Sequence, residues 1–192
     1  MIWRWNDFSE SGPSPDLKNE NLRLFITLML QQAQEVIVIK SIRDGMSAKE
    51  GLILLSTFYL LNNAWIMSWI LSISYWSNQI KNISKLAWQC ADYCERLEGE
   101  IENNEFYKSD SVGQEIKKMT IMKMEFYQAI SYYSMGCASN ETSEYGEAVG
   151  YFTKSKVSLE SAEKQAGKLG GEYRDGCALS LQYARDVIEG QG

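Results

Sequence analysis

Both prolines of this 192-residue chain, Pro13 and Pro15, stand near its start, so residues 16–192 are free of the strongest helix breaker. A proline-free run of that length favours long helices over a loop-rich β fold. Ser14-Pro15-Asp16 has the order of a helix start: a capping hydroxyl, a proline at the first helical position and an acid by the positive end of the dipole. The helix is expected over about 15–44, with Gly45 as a left-handed stop. Leu22, Phe25, Ile26, Met29, Ala33, Val36, Ile37 and Val38 give it an apolar face too wide for packing on one side only. Such a helix belongs inside a stack. Residues 1–13, polar and aromatic without a clear period, read as a disordered lead-in.

Further helices follow from three- and four-residue apolar steps. Over 84–103 these are Leu86, Cys90, Tyr93, Cys94, Leu97 and Ile101; over about 112–138 they are Ile116, Met119, Met122, Phe126, Ile130 and Tyr133. The polar run from Asn103 to Ser111 reads as the loop between them, and two more helices are expected over about 144–167 and 173–189. Gly136, Ala148, Phe152 and Ser155 stand at offsets 0, 12, 16 and 19, the small–small–aromatic–small spacing of a tetratricopeptide hairpin. Small residues there let antiparallel helices approach, and the aromatic fills the space between hairpins.

Composition narrows the function. A net charge of −6 opposes general nucleic-acid binding, which needs clustered Lys and Arg. With no histidine, Ser-His, Cys-His and His-metal chemistry are excluded. The four cysteines form no CxxC; Cys90 and Cys94, one helical turn apart, read as a core-facing thiol pair. Asp92, Glu95, Glu98 and Glu100 read as a solvated acidic face, since no Glu-x-x-His accompanies them. No cofactor, metal or catalytic residue is expected. The amino terminus lacks the basic-then-apolar order of a signal peptide, so a cytoplasmic setting is the expectation.

From Gly51 to Ile80 no residue is charged, and the segment is long enough to span a bilayer. Trp and Tyr near its ends and Lys81 and Lys85 beyond favour a membrane span. Asn62, Asn63 and five serines between Ser56 and Ser77 weaken it. The alternatives are a buried core helix and a segment foreign to the domain.

Two separated stretches resemble one family. Leu28-Met29-Leu30-Gln31-Gln32-Ala33-Gln34-Glu35 is similar to the LMLAQAQE helix of the Bro domain, the helical scaffold of Alix-type endosomal sorting proteins. Tyr145-Gly146-Glu147-Ala148-Val149-Gly150-Tyr151-Phe152 resembles an element near the end of the same domain. Gly51-Leu52-Ile53 and Ser84 to Tyr93 match the two halves of one further family helix, which residues 54–83 interrupt. The resemblance thus favours reading 54–83 as foreign, a translated intron or another gene-model error. It implies an all-α, tetratricopeptide-like helical solenoid over 14–190, the C-terminal half of a Bro domain, with about 54–83 as a foreign or membrane-like insertion.

The resemblance also implies a function. The family receives the amphipathic C-terminal helix of Snf-seven-type ESCRT-III subunits, the charged multivesicular body proteins, in a preformed apolar groove. By alignment the anchors fall on Ile37, where Alix has an aromatic, and on Leu52 and Leu86. The expectation is a non-catalytic scaffold in endosomal sorting and membrane scission, cytoplasmic, endosome-associated and peripheral to the endosomal membrane. Two alternatives stand beside it: a protein anchored through residues 51–80, retained in carbonate-washed membranes, and a Bro-domain adaptor in small-GTPase signalling.

Overall fold

The computed structural model describes the backbone of residues 18–59 and 65–189, and the side chains of these except 43–79, Glu172 and Tyr183. It is built from helices alone among the described residues: α1 (Asn19–Tyr59), α2 (Trp65–Asn103), α3 (Glu105–Ser109), α4 (Ser111–Glu141), α5 (Tyr145–Ala166) and α6 (Gly171–Glu189). The all-α expectation holds. The lead-in at 1–13 and the Pro15 helix start lie outside the described residues.

Neighbouring long helices run antiparallel. On α1 and α2, Asn21 pairs with Asn104, Thr27 with Glu100 and Gln34 with the Leu86 carbonyl, so rising numbers meet falling ones. The same holds for α2 and α4, where Ser84 meets Ser131 and Glu102 meets Lys117. On α4 and α5, Ser155 donates to the Ala129 carbonyl at 2.8 Å and Phe152 lies against Gly136. Helix α4 sits in the middle. Its Met122 and Ala129 join Leu159, Ala162, Leu181 and Ile188 of α5 and α6 in one core, while Tyr127 joins Val38, Ala87, Cys90 and Ala91 in another. A third cluster, Leu24, Leu97 and Ile101, closes the far end of the α1–α2 pair. Helices α2 and α5 both lie on α4, as alternate helices do in a tetratricopeptide-like stack.

Helix α1 departs from expectation twice. It runs through Gly45 to Tyr59 instead of stopping there. Glycine within a helix costs only about 1 kcal/mol against alanine, and helix-compatible residues on both sides outweigh that. Nor is α1 enclosed. Leu24, Gln31 and Val38, seven residues apart, are fully buried, whereas Leu22, Phe25, Ile26, Met29, Val36 and Ile37 are exposed. Its buried line is thus a narrow seven-residue stripe that packs on α2 and, at Val38, also on Tyr127 of α4, and not the broad apolar face.

Helix α2 starts at Trp65, well before residue 84. The reading of 54–83 as a foreign or membrane-like insertion falls on residues whose side chains lie outside the described set, except for Ile80 to Ile83. The backbone there is helical up to Tyr59 and again from Trp65. Among the described residues, Asn19–Ile42 is long and apolar enough to cross a membrane by length and composition alone, but its buried stripe packs on α2.

The expected loop at 103–111 holds a helical turn, α3, between two capping side chains. Asn104 accepts from the Phe106 and Tyr107 amides at 3.1 and 3.3 Å, and its own amide donates to Asn21 at 2.7 Å. Asp110 accepts from the Val112 and Gly113 amides and starts α4. Gly113 is required there, because a Cβ would overlap the Tyr107 carbonyl.

The α4–α5 corner is a Schellman-type stop. Ser143 adopts φ 63°, and the Glu144 amide reaches back to the Ser139 carbonyl at 2.9 Å. A left-handed serine is strained where glycine is not. Ser143→Gly is therefore expected to stabilise the chain by about 1 kcal/mol, seen as a higher urea midpoint at unchanged slope.

Candidate docking surface

The seam between α1 and α2 is set by the seven-residue stripe of α1. Val38 shares a core cluster with Ala87 and Cys90, and Leu86 packs against its edge. One turn before Val38, Gln34 spans the seam, donating to the Leu86 carbonyl at 3.1 Å and to Gln89 at 3.4 Å. Ile37 follows Gln34 by three residues, hence lies on the same side of α1, and is 47% exposed. The structure therefore brings Ile37 and Leu86 to one level of the seam, the first open and the second half-buried. Leu52 falls on α1 with Ile37, not on the helix of Leu86 as the family comparison has it, and its side chain lies outside the described residues. The cause is the unbroken run of α1 past Gly45.

A polar cluster under α1 holds this surface in place. Lys123 of α4 pairs with Glu35 at 2.8 Å and 3.0 Å to its two carboxylate oxygens. Gln31, fully buried, also donates to Glu35. Tyr127 borders the same carboxylate, and burial first, then the Glu35 charge, pushes its phenol far above the ordinary range. The thiols of Cys90 and Cys94 lie fully buried beside it, as expected for a core-facing pair. The Cys90 thiol is pushed up, chiefly by its hydrogen bond with Cys94 and then by burial. Thiols so shifted stay neutral and unreactive. Reasoning from sequence assigned none of Gln31, Glu35 and Lys123 a role. The only signal was a Gln and a Glu one turn apart inside an apolar run.

Among the described residues no group of three His, Cys, Asp or Glu side chains is placed to hold a metal. On the proposed acidic face, Asp92 pairs with Arg96 at 2.7 Å and Glu100 accepts from Thr27 at 2.8 Å. What the seam offers is shape and apolar area rather than reactive groups: a half-exposed aliphatic at the level of a partly buried one, braced by a half-buried ion pair.

The comparisons with known proteins agree with this description. The profile of the BRO1-like domain matches residues 5–191. Tyrosine-protein phosphatase non-receptor type 23 from Mus musculus is 25% identical over 179 residues, and the Homo sapiens protein of that name is 24% identical over the same length. Both alignments take in 93% of this chain but only 8% and 9% of the relatives, so the chain spans under a tenth of their length. No solved structure matches.

Proposed function

We propose that this chain, which belongs to the BRO1-like domain family, is a non-catalytic docking module for the amphipathic C-terminal helix of an ESCRT-III subunit of the charged multivesicular body protein class. The phosphatase named in the relatives belongs to proteins of which this chain matches under a tenth, and it does not carry over. The observation that supports the reading is the α1–α2 seam, where Ile37 is 47% exposed beside half-buried Leu86.

The mechanism is helix-in-groove recognition. A ligand helix carries apolar side chains at i, i+3, i+4 and i+7 that enter the seam and displace water from Ile37 and Leu86. A few central contacts supply most of the energy. Fixed helices keep the ordering cost on the receptor side small, and the Glu35–Lys123 pair fixes α1 against the central helix. Exposed Leu30 and Met29, both about two turns before Ile37 on α1, extend the apolar surface along the helix axis. Such a module acts in the cytoplasm at endosomal membranes, where it gathers the filament-forming subunit for sorting and scission.

The test is a fluorescence-anisotropy titration with the labelled C-terminal helix of the ESCRT-III subunit. The chain should bind saturably. Leu86→Asp should weaken binding by about a hundredfold, since a charge placed in a desolvated apolar contact costs roughly 3 kcal/mol. Ile37→Asp, at a more open position, should lose about tenfold. Equal affinity for the parent and both variants, each with native helical content, would rule the seam out.

A further inference from the structure

A second surface lies on the other flank of α2. Trp88 follows Leu86 by two residues, some 200° round the helix, and points away from the α1 seam toward α4 and α5. There, Lys85, Trp88, Tyr132, Met135 and Tyr151 line an open valley of about 470 Å3 between α2 and α5, with α4 as its floor. That volume falls in the range of known ligand pockets, roughly 300–1,000 Å3.

The walls are aromatic and continuous. Trp88 meets Tyr132 edge-on at 5.8 Å between centroids, and Tyr132 stacks with Tyr151 at 6.5 Å. Trp88 is nevertheless 47% exposed, a large apolar area left facing water. The two serine hydroxyls of the lining are engaged with each other: Ser131 donates to the Ser84 carbonyl, and the two hydroxyls meet at 3.0 Å. What an occupant meets is chiefly apolar and aromatic surface, with charge at the rim and the Gln89 amide at one edge.

That charge is positive. Lys85 is the charged residue among those lining the valley, and the Lys154 ammonium stands 5.6 Å from the Tyr132 ring centroid. On a chain of net charge −6 this is a local inversion of sign. Two lysines are too few for a nucleic-acid backbone, whose binding grows with the number of phosphates neutralised. They suit one or two carboxylates beside an apolar anchor, and exposed tryptophan and tyrosine are the side chains that most often carry such contacts.

We propose that the valley between α2 and α5 is a docking site for a short acidic peptide segment of a partner protein, with an aromatic or large aliphatic side chain seated against Trp88 and Tyr132 and flanking carboxylates meeting Lys85 and Lys154. The site lies across α2 from Ile37 and Leu86 of the α1–α2 seam, with Gln89 on the border between the two.

The experiment is an anisotropy titration of the full chain with a fluorescein-labelled peptide holding a Leu-Phe pair between glutamates. Two controls are the same peptide with lysines for glutamates and an all-glutamate peptide without the pair. The expected result is saturable binding of the first probe alone, weakened about tenfold, or 1.4 kcal/mol, by Lys154→Glu and more by Trp88→Ala. Leu86→Asp should leave it unchanged, which separates this site from the seam. Circular dichroism checks that Trp88→Ala folds, and Lys154→Glu, at an exposed position, decides the matter if it does not. No saturable binding of the first probe, equal binding of either control, or an affinity untouched by Lys154→Glu overturns the proposal.

Discussion

Gly136→Val should destabilise the chain by about 2–3 kcal/mol, as overpacking of a tight interface does. A Cβ at residue 136 would stand 2.7 Å from Phe152 Cδ1 and Cε1, closer than carbon atoms approach without displacement. The ring has little room to retreat, since it packs on Tyr133 with centroids 5.8 Å apart. Against this, valine improves the helix propensity of α4 by a few tenths of a kcal/mol, too little to offset the clash. Gly136→Ala should cost less, about 1 kcal/mol, because one methyl can be met by a small turn of the ring. Urea unfolding of Gly136→Val, Phe152→Ala and the double variant measures the coupling. With Phe152 truncated, most of the Gly136→Val penalty should vanish. A penalty unchanged in the double variant would mean that the strain arises elsewhere than at the α4–α5 approach.

That contact was legible in the sequence because it depends on spacing alone. Gly136, Ala148, Phe152 and Ser155 meet as the tetratricopeptide offsets require, with Ala148 and Ser155 buried and Ser155 bonded to the Ala129 carbonyl. The inward face of α2 was equally readable, with Cys90, Cys94, Leu97 and Ile101 all buried. That of α4 was readable in part: Met122 is buried, while Ile116, Met119, Phe126, Ile130 and Tyr133 are half-buried against the core clusters. Periodicity names the face of a helix, but it does not name the neighbour. The broad apolar face of α1 therefore suggested enclosure, while the stripe that meets α2 is Leu24, Gln31 and Val38, one of them polar.

Local signals were also outvoted or overlooked. Gly45 has the residue type of a stop, but glycine does not end a helix whose flanks continue it. Asn104 and Asp110 are ordinary caps, yet a polar run hides the turn of helix between them. At the proposed docking surface the resemblance supplied Ile37, Leu52 and Leu86; Leu86 borders the α1–α2 seam, Ile37 lies at its level on α1, and the Leu52 side chain lies outside the described residues. The residues that brace the seam were invisible, because an ion pair between positions 88 apart in sequence leaves no periodic trace.

Lys123→Ala tests that brace, with an expected loss of about 2 kcal/mol. Truncating one partner of a fully buried pair costs roughly 3–5 kcal/mol, because the remaining charge is left without a counter-ion. The side chains of Lys123 and Glu35 are 25% and 15% exposed, so water screens part of that penalty and the lower figure applies. For a chain of this size the melting temperature should fall by about 4–8 °C. The lost ion pair ties α1 to the central helix, with the Tyr127 phenol as a second polar contact to Glu35, so the effect should reach the seam as well. Ile37 stands two residues from Glu35 on α1, and the ESCRT-III helix should bind Lys123→Ala several-fold more weakly although Lys123 does not line the seam. Adding Glu35→Gln should restore much of the stability, since a neutral amide keeps the hydrogen bond from Gln31 and no longer strands a charge. If the double variant is as unstable as Lys123→Ala, the loss comes from the packing of the lysine stem rather than from the ion pair. If stability falls while affinity for the helix is unchanged, the position of α1 does not depend on this pair, and the seam is held by the Leu24, Gln31 and Val38 stripe alone.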